Sequence, residues 1–229
     1  LLLRDMIATS QSAGLDICLN NKIKKIDKSD KYKILIGSKE DIMAENIAIC
    51  CAEGLKNFSQ TKVKTSYAPI AVVSGLSDKS ESFVELDYFP KNCINVLVKD
   101  YGIGLVGGIS LSKKSDCDAY LDYVIKQHKK IDPNITEESR YIGLKTEVTF
   151  KNQPRGYLYH IVNLDEGIWT LIPGKFTLAF SMAPEFYRRI YKKNPKKHFE
   201  TVIDYDDNAI VSNTVWYDDT KAIINKNED

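Results

Sequence analysis

Gly102-Ile103-Gly104-Leu105-Val106-Gly107 spells G-x-G-x-x-G directly after the strand-like run Ile94 to Val98. A dinucleotide site also needs a helix to open at once, so that N–H groups at its N-terminus face the pyrophosphate. Here Gly108 leads into Ile109-Ser110-Leu111, which is again strand-like, and helical spacing resumes only at Ser115. The glycines are therefore read as a hairpin turn. Ile36-Gly37-Ser38-Lys39 lacks a full Gly-rich loop and reads as an ordinary cap between a strand and a helix. His128, His160 and His198 stand in no paired ligand spacing, which predicts no metal site. The five cysteines, Cys18, Cys50, Cys51, Cys93 and Cys117, are odd in number and form no C-x-x-C. Cys50 and Cys51 lie in an apolar, helix-spaced run and are expected to be reduced and buried. No G-x-S-x-G elbow is present. The residues thus assign no catalytic group, no metal and no cofactor, and the balance leans away from an enzyme.

Charge carries more information by position than by sum. The chain has 229 residues, 32 basic against 31 acidic, a net +1, with 43% hydrophobic residues. That is a globular balance without the basic excess a nucleic-acid binder needs. Arg188, Arg189, Lys192, Lys193, Lys196 and Lys197 are followed by Glu200, Asp204, Asp206 and Asp207. Arg188, Arg189, Lys192, Lys193, Asp206 and Asp207 form a candidate interaction surface able to steer a partner. Glu200 alternates with Phe199 and Thr201 on an expected strand. Beside Trp169, Tyr157, Tyr159, Phe176, Phe180 and Trp216 it would complete an aromatic cage for a lipophilic cation.

The elements that must position these groups follow from periodicity. A helix is expected over 2–20 and a strand over 32–36. Ser38 and Asp41 read as a capping box opening a helix over 39–57. Strands follow at 62–74 and 82–88, separated by the turn-rich segment 75–80, then at 94–98 and 105–111. Ser115 and Asp118 read as a second capping box, with Cys117, Tyr120, Leu121, Val124, Ile125 and His128 on one helical stripe. Strands at 140–150, 156–163 and 168–172 precede a strand-like Lys175 to Ser181, a helix starting at Pro184, and a last strand pair at 199–205 and 209–217. This is an α+β class with mainly antiparallel sheet and helices on one face. It divides into an α/β segment over 1–80 without an assigned role and a ligand-binding α+β domain over 81–229. No apolar run reaches membrane-spanning length. A cytoplasmic location is favoured, with a periplasmic or secreted one following if an upstream signal was removed.

Tyr141-Ile142-Gly143-Leu144, Tyr159-His160-Ile161-Val162, Ile168 to Phe176 and Ala183-Pro184-Glu185-Phe186-Tyr187 resemble segments of the GyrI-like effector-binding domain of MerR-type bacterial multidrug-sensing regulators. The resemblance covers the C-terminal two-thirds and implies a duplicated β-α-β-β layout. It also implies a non-catalytic module that binds or senses a small lipophilic or cationic ligand, with Glu200 as its acidic contact. Residues 1–80 do not resemble the winged helix that precedes that domain, so no direct nucleic-acid binding is expected of this chain. The alternative reading is a protein-binding module, such as a toxin-neutralising immunity protein or an exported accessory protein.

Overall fold

The computed structural model describes residues 2–29, 33–60, 62–86, 93–99, 101–148, 158–196, 201–203 and 211–228. In chain order these form α1 (Leu2–Ser12), β1 (Lys25–Lys28), β2 (Lys33–Ile36), β3 (Ile42–Ala44), β4 (Ile47–Ile49), β5 (Val63–Ser74), β6 (Phe83–Leu86), β7 (Cys93–Val98), β8 (Gly104–Gly108), α2 (Cys117–Ile131), β9 (Thr136–Val148), β10 (His160–Asp165), β11 (Ile168–Ile172), α3 (Ala179–Tyr191) and α4 (Tyr217–Glu228). The fold is mixed α and β, and antiparallel pairings dominate its sheets. Among the described residues no helix is long and apolar enough to cross a membrane. Two compact units share the chain: Leu1–Lys64 with Thr146–Ser212, and Thr65–Lys145 with Asn213–Asp229.

The first unit holds two small sheets. β1, β2 and β3 form an antiparallel meander, with Lys25 opposite Ile36 and Leu35 opposite Ile42. In the second sheet β11 lies between β10, antiparallel, and β4, parallel, with Ile168 opposite Ile47 and Thr170 opposite Ile49. Ile47, Ile49, Leu55, Val148, Ile168 and Ile172 bury one core, with Ile26, Leu35 and Phe58 packed against it. Gly167 turns β10 into β11 at φ +68°, and a Cβ there would stand 2.6 Å from the Glu45 carbonyl oxygen. Only glycine accepts both that dihedral and that approach.

The expected helix over 39–57 is absent; strands β3 and β4 and a 3-10 turn, Ala52–Asn57, occupy it. Its supposed capping box serves a turn instead. The Ser38 hydroxyl accepts from the Lys22 amide at 2.9 Å, and Asp41 Oδ1 accepts from the Gly37 amide at 3.1 Å. These side chains satisfy backbone donors around the β2–β3 connection, the competing use of Ser and Asp that makes short capping motifs ambiguous.

The second unit is a five-stranded sheet, ordered β6-β7-β8-β5-β9, with α2 on one face. Ala71, Val73, Ile94, Val96 and Val106 meet Leu121, Val124 and Ile125 in its core. Of the expected helical stripe, Cys117, Leu121, Val124, Ile125 and His128 are buried, and Tyr120 is half-buried against the same core. No side chain caps the helix: a 3-10 turn, Lys114–Asp116, precedes it, and the Ser115 hydroxyl bonds Asp116 rather than the helix backbone. Arg140 on β9 pairs with Glu137 of its own strand and pins it to α2 through Asp122 at 2.5 Å. Of the last expected strand pair, 201–203 is not a strand, α4 takes up Tyr217, and 204–210 lie outside the described residues.

Candidate functional site

Open sheets with parallel neighbours bind ligands beyond the carboxyl ends of those strands. In the first unit that end belongs to β4 and β11. β4 runs out into Cys50 and Cys51, both exposed, then Ala52 in a left-handed conformation at φ 48°. β11 runs out into Pro173 and Gly174, the latter at φ +68°, then Lys175 and a 3-10 turn, Phe176–Leu178, that opens α3. His160 is opposite Ile172 and so stands at the same end of the sheet. Burial pushes its imidazole below the usual range, which keeps it neutral at neutral pH.

Neither the 3-10 turn nor α3 has a side-chain cap. The 3-10 turn itself takes up the amides that lead into α3, Leu178 donating to the Lys175 carbonyl at 3.1 Å and Ala179 to that of Phe176, and the helix dipole adds partial positive charge at this end. Two polar atoms of β11, Trp169 Nε1 and Thr170 Oγ1, are buried without a hydrogen-bond partner. The helix begins earlier than expected: Ala179, not Pro184, opens it, and Pro184 lies inside. Phe176 to Ser181, with strand-favouring Phe, Thr and Leu, reads as extended in the sequence. The turn forced by Gly174 commits it to helix instead.

The expected aromatic cage divides between the units. Trp169, half-buried, meets Phe186 edge-on at 5.9 Å, while Phe176 and Phe180 pair at 5.6 Å and stay about half exposed. Tyr159 is half-buried just before β10. Trp216 belongs to the second unit. Glu200, Tyr157, Asp206 and Asp207 lie outside the described residues. Arg188 and Arg189 both pair with Glu185 on α3, at 3.2 and 3.0 Å, and Arg189 also donates to the Ile161 carbonyl at 3.0 Å. Those hydrogen bonds, Arg189's first, hold the Glu185 carboxyl below its ordinary range. Lys192 and Lys193 remain exposed at the helix end. Cys50 and Cys51, expected buried on a helix, are exposed because β4 ends before them.

In the second unit a cavity of about 590 Å³ opens on the sheet, lined among others by Ile70, Asn95, Leu97, Leu105 and Trp216. No Lys, Arg, Asp or Glu is in its lining. Trp216 packs edge-on against Tyr141 at 6.3 Å, beside the buried Val72 and Ile103. The Tyr141 hydroxyl donates to Asp219, so a polar contact seats α4 on β9. Sequence reading missed this pair, whose partners are far apart in the chain. The G-x-G-x-x-G stretch is a hairpin, as read: Gly102 turns at φ +67° and Val98 pairs with Gly104. No group of His, Cys, Asp and Glu among the described residues could hold a metal ion.

No protein-family model and no curated protein sequence matches this chain. Solved structures do. An L-proline dehydrogenase from P. horikoshii superposes with a TM-score of 0.65 at 9% identity, covering 82% of this chain and 54% of that one. The FAD dependent oxidoreductase PA4991 from Pseudomonas aeruginosa gives 0.58 at 11% identity, over 95% of this chain and 64% of that one. A glycerol-3-phosphate dehydrogenase from Bacillus halodurans, complexed with FAD, gives 0.63 at 12% identity, over 85% and 43%. The chain thus spans about half the length of the structures it matches. These likenesses contradict the GyrI-like resemblance and the non-catalytic sensor of lipophilic or cationic ligands built on it. They give no support to an effector-binding domain, an immunity protein or an exported accessory protein. What the chain shares with these oxidoreductases, at such low identity, is their fold.

Proposed function

We propose that this chain is part of a flavin-dependent oxidoreductase. The observation that carries the reading is the fold likeness, over 82% to 95% of the chain, to a proline dehydrogenase, an FAD dependent oxidoreductase and a dehydrogenase complexed with FAD. The residues present fit one end of such a cofactor. A ring carbonyl suits the positive end of the α3 dipole at the β11–α3 turn, and Trp169 Nε1 is an unused donor in the strand that leads there. Gly174 leaves room at that turn, since the nearest atom to a Cβ there would be the Leu158 carbonyl oxygen at 3.7 Å. The pyrophosphate end finds no Gly-rich strand-to-helix cradle among the described residues, because the one G-x-G-x-x-G is locked into the β7–β8 hairpin.

When bound, a flavin accepts two electrons from the substrate carbon being oxidised. This chain's own contributions are orientation, exclusion of water and proton handling. The α3 N-terminus would stabilise negative charge on a bound ring. His160, held neutral by burial, is able to take up a proton at neutral pH. In the second unit Trp216, its ring packed against Tyr141, forms an apolar wall of that unit's own cavity.

Purified protein is expected to release FAD on acid denaturation, or to quench the fluorescence of added FAD saturably. Failure to bind FAD, FMN or riboflavin in either form sinks the reading.

A further inference from the structure

Cys50 and Cys51 lie beyond the end of β4, and both are exposed. Ile47 and Ile49 are buried and Ala48 is exposed, so the pleat turns Cys50 outward with Ala48. Cys51 departs from the strand at φ −88° and ψ 24°, which keeps it from alternating back into the core. Its sulfur stands 3.3 Å from where a Cβ on Gly54 would lie, so glycine keeps that side of the sulfur open. The Cys50 thiol makes only a weak contact, 3.8 Å to the Ala48 carbonyl oxygen. Desolvation, the largest influence on each, raises both thiols above their ordinary value, so both carry their protons at neutral pH.

Neighbouring cysteines are poorly placed for a disulfide with each other. Consecutive Cα atoms are about 3.8 Å apart, short of the roughly 4.4–6.8 Å that relaxed disulfides span. A larger atom set between the two sulfurs lengthens the bridge and removes that strain.

We propose that Cys50 and Cys51 form a vicinal dithiol site that captures trivalent arsenicals. With phenylarsine oxide the step balances without an oxidant: two S–H bonds break, two As–S bonds form, and the arsenic-bound oxygen leaves with both protons as one water. Arsenic stays trivalent throughout. Retention comes from adjacency, because the second As–S bond closes within one molecule at high effective concentration. The exposed Cys18 makes one such bond and holds the reagent only weakly, and the buried Cys117 is shielded. The site does not depend on the flavin reading, and it is tested on protein freed of flavin, since a flavin at this end of the sheet would cover both cysteines.

Intact-protein mass spectrometry after one equivalent of phenylarsine oxide tests it. The expected product is one phenylarsenic adduct with both thiol hydrogens lost, removable by dimercaptopropanol and resistant to a monothiol. Cys50→Ser and Cys51→Ser are each expected to weaken retention about 10²-fold, the gain lost with the second attachment. Cys18→Ser should leave it unchanged. If a serine variant misfolds, blocking one residue of the pair with a single equivalent of N-ethylmaleimide in the folded protein, located by peptide mapping, must abolish the adduct. Absence of the adduct on native protein, or its survival when either cysteine is removed or blocked, overturns the proposal.

Discussion

The Nε2 atom of His128 lies 3.1 Å from the carbonyl oxygen of Asn95, tying the last turn of α2 to the middle of β7. The ring is 4% exposed and sits 5.5 Å from that of Phe83.

This contact makes the second unit acid-sensitive. Burial, against the smaller pull of the Asn95 carbonyl and Glu85, holds the His128 imidazole below its ordinary 6.5. As pH falls the unfolded chain takes up the proton first. The stability His128 contributes is therefore whole above about pH 6.5 and declines below it. Thermal melts at pH 7 and pH 5 should show a drop that is smaller in His128→Gln. That variant should also lose about 1–3 kcal/mol at pH 7 if its amide does not reach Asn95. An equal drop in both proteins contradicts the assignment, even though His160 shifts in the same direction.

Gly167→Ala should lower the urea midpoint of the first unit by the equivalent of about 1–3 kcal/mol, from left-handed strain alone. The approach to the Glu45 carbonyl adds to that. Gly14 also has a positive φ but open space around it, so Gly14→Ala should cost less. A reversed order would mean that backbone approach does not decide the cost.

Tyr141→Phe keeps the ring under Trp216 and removes the donor to Asp219. A loss of about 0.5–1.5 kcal/mol is expected. In a Trp169→Phe background, Trp216 emission should shift to the red as α4 loosens. An unmoved spectrum would show that the ring packing alone holds Trp216.

If a flavin occupies the carboxyl end of β4 and β11, it covers Cys50 and Cys51. At tenfold excess over its dissociation constant, FAD should slow their alkylation by iodoacetamide about tenfold, while the rate at Cys18 stays unchanged. Equal rates with and without FAD would place the flavin elsewhere.

What could be read from the sequence was what depends on near neighbours. The α2 stripe from Cys117 to His128 repeats every turn and is buried where that repeat says. The glycines at 102–107 follow a strand and re-enter one, and they form a hairpin. The misread segment, 39–57, has apolar residues at both helical and strand spacing. What decides its state is Ile168, which pairs with Ile47 from a distant part of the chain. The candidate site was hidden for the same reason. In the sequence Gly174 reads as a turn between two extended segments, and nothing near it shows that Cys50 and His160 end at the same sheet edge.

The parallel register of Ile47 with Ile168 also sets an order of events on the ribosome. β4 emerges early and cannot complete its sheet until β11 has been synthesised, with the Thr65–Lys145 part of the second unit in between. Through that interval Ile47 and Ile49 have no strand partner, while β5 to β9 of the second unit, all within 63–148, are already available to pair. A nascent chain stalled before Ile168 should therefore recruit chaperones through the β4 region and release them once β11 is out.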